Sequence, residues 1–226
     1  RQRQMCIRDR YTMEEDGKEV TRFTGTIGDI GTSSFYPPHH MTMGEGGAVY
    51  TDNPLLNKII RSFRDWGRDC VCPSGRDNMC GHRFDRQFGE TAAIGCAQLD
   101  KFPSFVERRR HNFDRLKAGL EGTENQLILP EACPHSRPSW FGFLITCRQG
   151  VDRNKIVRYV EKKGVQTRML FAGNLTKHPC FDEMRAAGQG YRIVGSLDNT
   201  DRIMSDTFWV GVYPGMTDGM IDYMAR

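Results

Sequence analysis

Two adjacent histidines, His39 and His40, stand in the stretch FYPPHHMTMGEGGAVYTD (Phe35 to Asp52). Imidazole titrates near neutrality, so it can take a proton and return it under ordinary conditions. A second reactive cluster, DWGRDCVCPSGRDNMCG, carries Cys70, Cys72 and Cys80. By spacing alone these thiols suit a zinc ion, with His82 as fourth ligand, or an iron–sulfur centre, which needs four thiolates. Spacing does not choose between the two. The glycine-rich GEGG (Gly44 to Gly47) reads in isolation as a turn.

Elements must hold these groups in place. GDIGTSSFY and GGAVYTD read as short strands on either side of the histidines, bounded by glycine or polar turns. NPLLNKIIRSFRDWG reads as a helix with Asn53 as N-cap, Pro54 at the first position and Gly67 as its end. Leu55, Ile59, Ile60 and Phe63 share one of its faces. The cysteine stretch follows as a loop rich in turn residues. TAAIGCAQLDKFPSFVERRRHNFDRLKAGLEG reads as a long helix broken near Pro103. Then SWFGFLITC, VQTRMLF and TFWVGVYPG read as strands, with helices over DRNKIVRYVEKKG and MTDGMIDYMAR. Such alternation predicts a small α/β domain, with a domain boundary around residues 100–130.

The 226 residues suffice for one large domain or two small ones. No run of eighteen apolar residues is present, and the start RQRQMCIRDR lacks the apolar segment of a signal peptide. A cytoplasmic protein with no membrane contact is expected. A net charge of +4 is spread over the chain. The densest basic run, Arg108-Arg109-Arg110, has Glu107 and Asp114 beside it, which predicts a solvated helix face rather than a nucleic-acid site. Cys96, Cys133, Cys147 and Cys180 are scattered and read as buried free thiols.

The stretch TSSFYPPHHMTMGEGGAVYTD resembles the internal-lysine segment of the sugar aminotransferases of the DegT/DnrJ/EryC1/StrS family, which use pyridoxal phosphate. In that family a serine binds the cofactor phosphate and a lysine five residues later holds the cofactor covalently. The resemblance places the serine at Ser34 and puts His39 at the lysine position. Imidazole does not form the stable linkage that an amine forms with the cofactor aldehyde. The expectation is therefore an untethered pyridoxamine phosphate, with His39 as the base at the cofactor carbon and His40 as a packing or hydrogen-bonding neighbour. With no lysine to complete amino transfer, electrons can instead expel a neighbouring hydroxyl, which is dehydration.

With the cysteine loop, and with FRDWGRDC, RPSWFGFLIT, TRMLFAGNLTKHP and NTDRIMSDTFWVGVYPG, residues 11–226 resemble the CDP-4-keto-6-deoxy-D-glucose 3-dehydratases. That resemblance implies C3 dehydration of a CDP-linked 4-keto-6-deoxyhexose, on the way to 3,6-dideoxysugars of lipopolysaccharide O-antigens. It implies pyridoxamine phosphate and a [2Fe–2S] cluster held by Cys70, Cys72 and Cys80. It implies an NADH-dependent iron–sulfur flavoprotein reductase as electron donor, and a homodimer. The cluster delivers electrons singly to complete the deoxygenation. Tyr36 is implied to line the site, Phe141 to lie near the sugar, and Arg168 and Asn174 to bind the sugar or its diphosphate. The plain alternatives are a core aromatic for Phe141 and a surface ion pair for Arg168. A similar family, acting on a TDP-linked 4-keto-2,6-dideoxyhexose, is the alternative substrate class. A non-catalytic truncated subunit is the alternative of another kind.

The implied fold is α/β, the type I aminotransferase fold in incomplete form: the C-terminal part of the large domain (residues 11–115) and the small domain (116–226). Residues 1–10, with no initiating Met and the string MCIRDR, are expected to be a non-native extension. The family's fourth cysteine would fall at Thr12, while Cys6 lies further upstream. The family's acidic partner of the pyridine nitrogen and its glycine-rich phosphate-binding helix start are missing from this sequence. A further gap is expected between Glu90 and Thr91, so the literal chain is expected to be an inactive piece of an active parent.

Overall fold

The computed structural model describes residues 2–4, 9–64 and 82–226; for residues 2–4 and 82–91 it describes the backbone. The chain forms β1 (Gln2–Gln4), β2 (Arg10–Glu15), β3 (Lys18–Phe23), β4 (Gly31–Ser34), β5 (Gly47–Tyr50) and α1 (Pro54–Arg64). There follow α2 (His82–Gly119), β6 (Leu127–Ile128), β7 (Ser136–Arg137), β8 (Gly142–Cys147), α3 (Arg153–Lys162) and β9 (Thr167–Met169). The chain continues through α4 (Asp182–Ala187), α5 (Asp198–Asp206), β10 (Thr207–Gly211) and α6 (Asp218–Ala225). Two compact units result. The first holds Arg1–Arg110 with Ala132–Phe141, and the second His111–Glu131 with Gly142–Arg226. No helix among the described residues is long and apolar enough to cross a membrane.

In the first unit, β4 pairs in parallel with β1 and antiparallel with β5, in the register Ser34↔Gly47 to Gly31↔Tyr50. Glycine is required at two of these places. A Cβ on Gly47 would stand 2.8 Å from the Ser33 carbonyl oxygen, and one on Gly31 would overlap the Gly25 carbonyl. A second sheet, β3-β2-β7, turns its β2–β3 hairpin on Asp16–Gly17, both at positive φ. That dipeptide favours a two-residue hairpin turn.

The helix expected from Asn53 is present. Asn53 Oδ1 accepts from the Leu55 and Leu56 N–H groups at 2.9 and 3.2 Å. The helix is described as far as Arg64, and its expected end at Gly67 lies outside the described residues. Leu55, Ile59 and Phe63 are exposed and Ile60 is half-buried, so most of its apolar face is uncovered among the described residues. The break expected near Pro103 does not occur, and α2 runs through it. Proline forfeits one helix hydrogen bond, but Phe102 and Val106 on either side of it are buried, and that packing holds the turn.

The second unit is a four-stranded antiparallel sheet in the order β6-β8-β10-β9. Alternate residues of β8, Phe143, Ile145 and Cys147, are buried, as a half-covered sheet requires. Phe113 and Leu116 of α2, Val157 of α3 and Ile221 of α6 are also buried. Phe113 meets Phe143 with ring centroids 4.9 Å apart. Asp152 and Thr217 cap α3 and α6. Of the four scattered cysteines Cys147 is buried, whereas Cys96, Cys133 and Cys180 are exposed, contrary to the expectation of buried thiols.

Candidate functional site

The β4–β5 pair fixes both ends of the loop that carries the histidines. Phe35 N–H donates to Gly46 O at 2.9 Å, and Met43 N–H donates to Phe35 O at 3.0 Å. Phe35 and Met41 are buried in one cluster with Phe102 and Val106 of α2. With apolar anchors before and after them, the two histidines are held at the turn between.

His39 is half-buried, and its backbone N–H donates to Tyr36 O at 2.9 Å. Its ring Nδ1 lies 3.1 Å from Ser34 O. A carbonyl oxygen can only accept, so Nδ1 carries the hydrogen and the lone pair of the neutral ring is at Nε2. Two aromatic rings meet the imidazole edge-on. Tyr36 stands at a centroid distance of 5.7 Å and Phe141 at 5.8 Å, each with an interplanar angle of 76°. The structure thus brings together four residues singled out in the sequence: Ser34, Tyr36, His39 and Phe141.

His40 turns inward and is 3 % exposed. Its Nε2 donates to Ser139 O in a short hydrogen bond, and its ring meets Phe102 edge-on at 6.4 Å. Burial, then the charge of Arg109, lowers its pKa from 6.5 to about 4. The ring is therefore neutral at physiological pH.

Arg109 overturns the expected solvated face of Arg108-Arg109-Arg110. It is 4 % exposed, and its Nη1 donates to Trp140 O and Phe141 O at 3.3 and 3.1 Å. Arg110 donates to Pro138 O at 2.9 Å and to Arg137 O at 3.1 Å. The missed signal is periodic: Phe102, Val106, Arg109, Phe113 and Leu116 recur at helical spacing, and all are buried. Ser139 also donates from N and Oγ to Asp9 Oδ1, at 2.7 and 2.6 Å.

Arg168 and Asn174 belong to the second unit. Arg168 is exposed on β9, opposite Trp209 of β10. Asn174 is 3 % exposed. Its Oδ1 accepts from Thr176 N and Oγ1, and its Nδ2 donates to Asp201 at 2.6 Å. Both oxygen lone pairs are therefore engaged in shaping the loop. Lys177, 2.8 Å from Asp201, and then Asn174 hold the Asp201 carboxyl below its ordinary pKa.

Cys70, Cys72 and Cys80, like Cys6, lie outside the described residues. Among the described residues no group of three or more His, Cys, Asp or Glu side chains could hold a metal ion.

Residues 13–226 match the profile of the DegT/DnrJ/EryC1/StrS aminotransferase family. The chain belongs to this family. Within the DegT/DnrJ/EryC1/StrS proteins, it is 48% identical over 228 residues to the lipopolysaccharide biosynthesis protein RfbH of Salmonella typhimurium, covering 90% of this chain and 51% of that protein. It is 46% identical over 230 residues to the dTDP-4-dehydro-2,6-dideoxy-D-glucose 3-dehydratase of Saccharopolyspora spinosa, covering 91% and 48%. Among solved structures, GDP-4-keto-6-deoxymannose-3-dehydratase with a trapped PLP–glutamate geminal diamine superposes with a TM-score of 0.73 at 24% identity. That match covers 90% of this chain and 55% of the other, and it bears out the expected aminotransferase fold. The chain spans about half the length of the curated relatives it matches.

Proposed function

We propose that the protein to which this chain belongs removes the C3 hydroxyl of a nucleotide-linked 4-keto-6-deoxyhexose, with pyridoxamine phosphate as cofactor and His39 as the base. One observation carries the reading. His39, which we place at the family's lysine position, is an imidazole whose Nδ1–H is held by Ser34 O, which leaves Nε2 able to accept a proton. An ordinary aminotransferase needs an amine there.

The donor set fits the amine form of the cofactor. Ser34 Oγ accepts from Tyr36 N–H at 3.4 Å, so its own hydrogen is available to a phosphate oxygen. The segment from Phe35 to Gly47 contains no lysine that could form a covalent tether. When bound, pyridoxamine phosphate supplies an amine that condenses with the C4 ketone and a ring that accepts electrons. Ser34 would hold its phosphate. His39 takes the proton at Nε2 and keeps Nδ1–H on Ser34 O throughout, so the ring becomes a cation without moving. Tyr36 and Phe141 keep that ring in one plane and narrow the access of water to it.

Cys70, Cys72 and Cys80 would supply three of the four thiolates of a [2Fe–2S] cluster, whose role would be to supply electrons one at a time. A flavoprotein reductase using NADH would reload it. The substrate we favour is CDP-4-keto-6-deoxy-D-glucose, in the making of 3,6-dideoxysugars for lipopolysaccharide. The 48% identity to a protein named for lipopolysaccharide biosynthesis supports that choice. The 46% identity to a TDP-sugar dehydratase favours the TDP-linked 2,6-dideoxy sugar as the second reading. Arg168 is proposed to serve the sugar or its diphosphate. The intact protein is proposed to be a homodimer, and residues 1–10 to be a non-native extension.

The test is anaerobic purification of the intact protein, with iron, labile sulfide and zinc assayed and both nucleotide sugars supplied. Iron with sulfide, and loss of the C3 hydroxyl from one sugar, is the expected result. Zinc in place of iron, or amino transfer in place of dehydration, overturns the reading. His39→Asn should slow proton exchange at the cofactor carbon by about 100-fold or more, measured by deuterium wash-in. Unchanged exchange removes His39 from the role of base.

A further inference from the structure

The two adjacent histidines do different work. His39 is half-buried between two aromatic rings, whereas His40 is 3 % exposed and reaches Ser139 O, far along the chain. A carbonyl can only accept, so Nε2 of His40 carries the hydrogen. The groups that bear on this ring electrostatically are Arg109, His39 and Arg110. The two arginines add positive charge beside it, which favours the neutral ring.

Ser139 lies in a segment held at every residue. Arg110 donates to the carbonyls of Arg137 and Pro138, His40 to that of Ser139, and Arg109 to those of Trp140 and Phe141. Five successive carbonyls therefore accept from side chains. Four of these are reached from α2. The fifth, in the middle, is reached from the loop that carries His39. His40 thus ties the base-bearing loop to the segment that presents Phe141, and the Phe141 ring stands 5.8 Å from the His39 ring.

We propose that His40 is a positioning residue for the base: its neutral Nε2–H, fixed on Ser139 O, sets Phe141 against the His39 imidazole and thereby fixes where Nε2 of His39 points. The catalytic part of this inference rests on the proposed role of His39. A base must come within hydrogen-bonding reach of the proton it removes, and a misplacement of about 1 Å can cost about 100-fold in rate. Nδ1–H on Ser34 O restrains one edge of the His39 ring. The flanking rings of Tyr36 and Phe141 restrain its rotation. His40 acts through Phe141.

The test compares His40→Gln with His40→Leu in the intact protein. Glutamine places an amide N–H near the former Nε2, and leucine removes the donor while keeping apolar bulk. Each variant is read by its melting temperature, by a crystal structure of the His39–Phe141 ring pair, and by kcat and KM for dehydration. We expect His40→Leu to lose the edge-on ring pair and to lower kcat about 10- to 100-fold, with KM little changed. His40→Gln should restore both the ring pair and kcat to within about threefold of wild type. A folded His40→Leu protein that keeps the ring pair and full kcat overturns the proposal. So does a folded His40→Gln protein as impaired as the leucine variant. Should His40→Leu fail to fold, His40→Gln and Phe141→Leu decide: near wild-type kcat in the first and a lowered kcat in the second are expected, and the reverse pattern overturns it. Absence of dehydration in the wild type would remove the proposed reaction, while the ring geometry in the variants would still decide the positioning.

Discussion

At the scale of single residues, solvation separates the two imidazoles. His40 takes up its proton only near pH 4 in the folded chain, against 6.5 in its ordinary state. Between these values the unfolded chain binds more protons, so acid favours unfolding. The contribution is complete above about pH 6.5 and is lost as pH falls through about 4, by roughly 3 kcal/mol at most. Urea unfolding at several pH values in that window checks this. His40→Gln should flatten that component, and a variant curve parallel to wild type would contradict it. The proposal for His39 needs only the neighbouring motif, because the serine and the histidine lie five residues apart on one short stretch. Local sequence did not carry Arg109. The acceptors of that guanidinium, Trp140 O and Phe141 O, come from a distant part of the chain, and nothing near Arg109 announces them.

At the scale of elements, the features that could be read were those whose physics is local. Asn53 caps α1 and Asp152 caps α3, each through hydrogen bonds to residues within three positions. The β2–β3 hairpin is absent from the sequence expectation, although Asp16–Gly17 carries its signal. The break assigned to Pro103 was wrong because burial of Phe102 and Val106 outweighs one lost backbone bond. Strand contacts also set strict demands that composition does not show. Gly31 lies so close to the Gly25 carbonyl that a methyl group has no room. Gly31→Ala should therefore force β4 away from that carbonyl and cost about 1–3 kcal/mol. Thermal melts would show it, and an unchanged melting temperature would contradict the close approach.

At the scale of the whole molecule, each unit has its own buried residues. In the second, Phe143 is fully buried and packs on Phe113. Phe143→Ala should cost about 3–5 kcal/mol in chemical denaturation, whereas an effect below about 1 kcal/mol would mean the ring is not part of a packed core. The return of Ala132–Phe141 to the first unit escapes sequence reading. A segment returning from later in the chain leaves no mark on local periodicity. The hairpin around the histidines has a further consequence for how such a protein can change over time. Ser34 is paired with Gly47, and Phe35 is tied to both Met43 and Gly46. Loss or gain of one codon between those ties would shift His39 relative to Ser34 or Gly47, whereas exchange of one side chain leaves their spacing intact. New chemistry at this place is therefore reached by replacing a residue rather than by altering loop length.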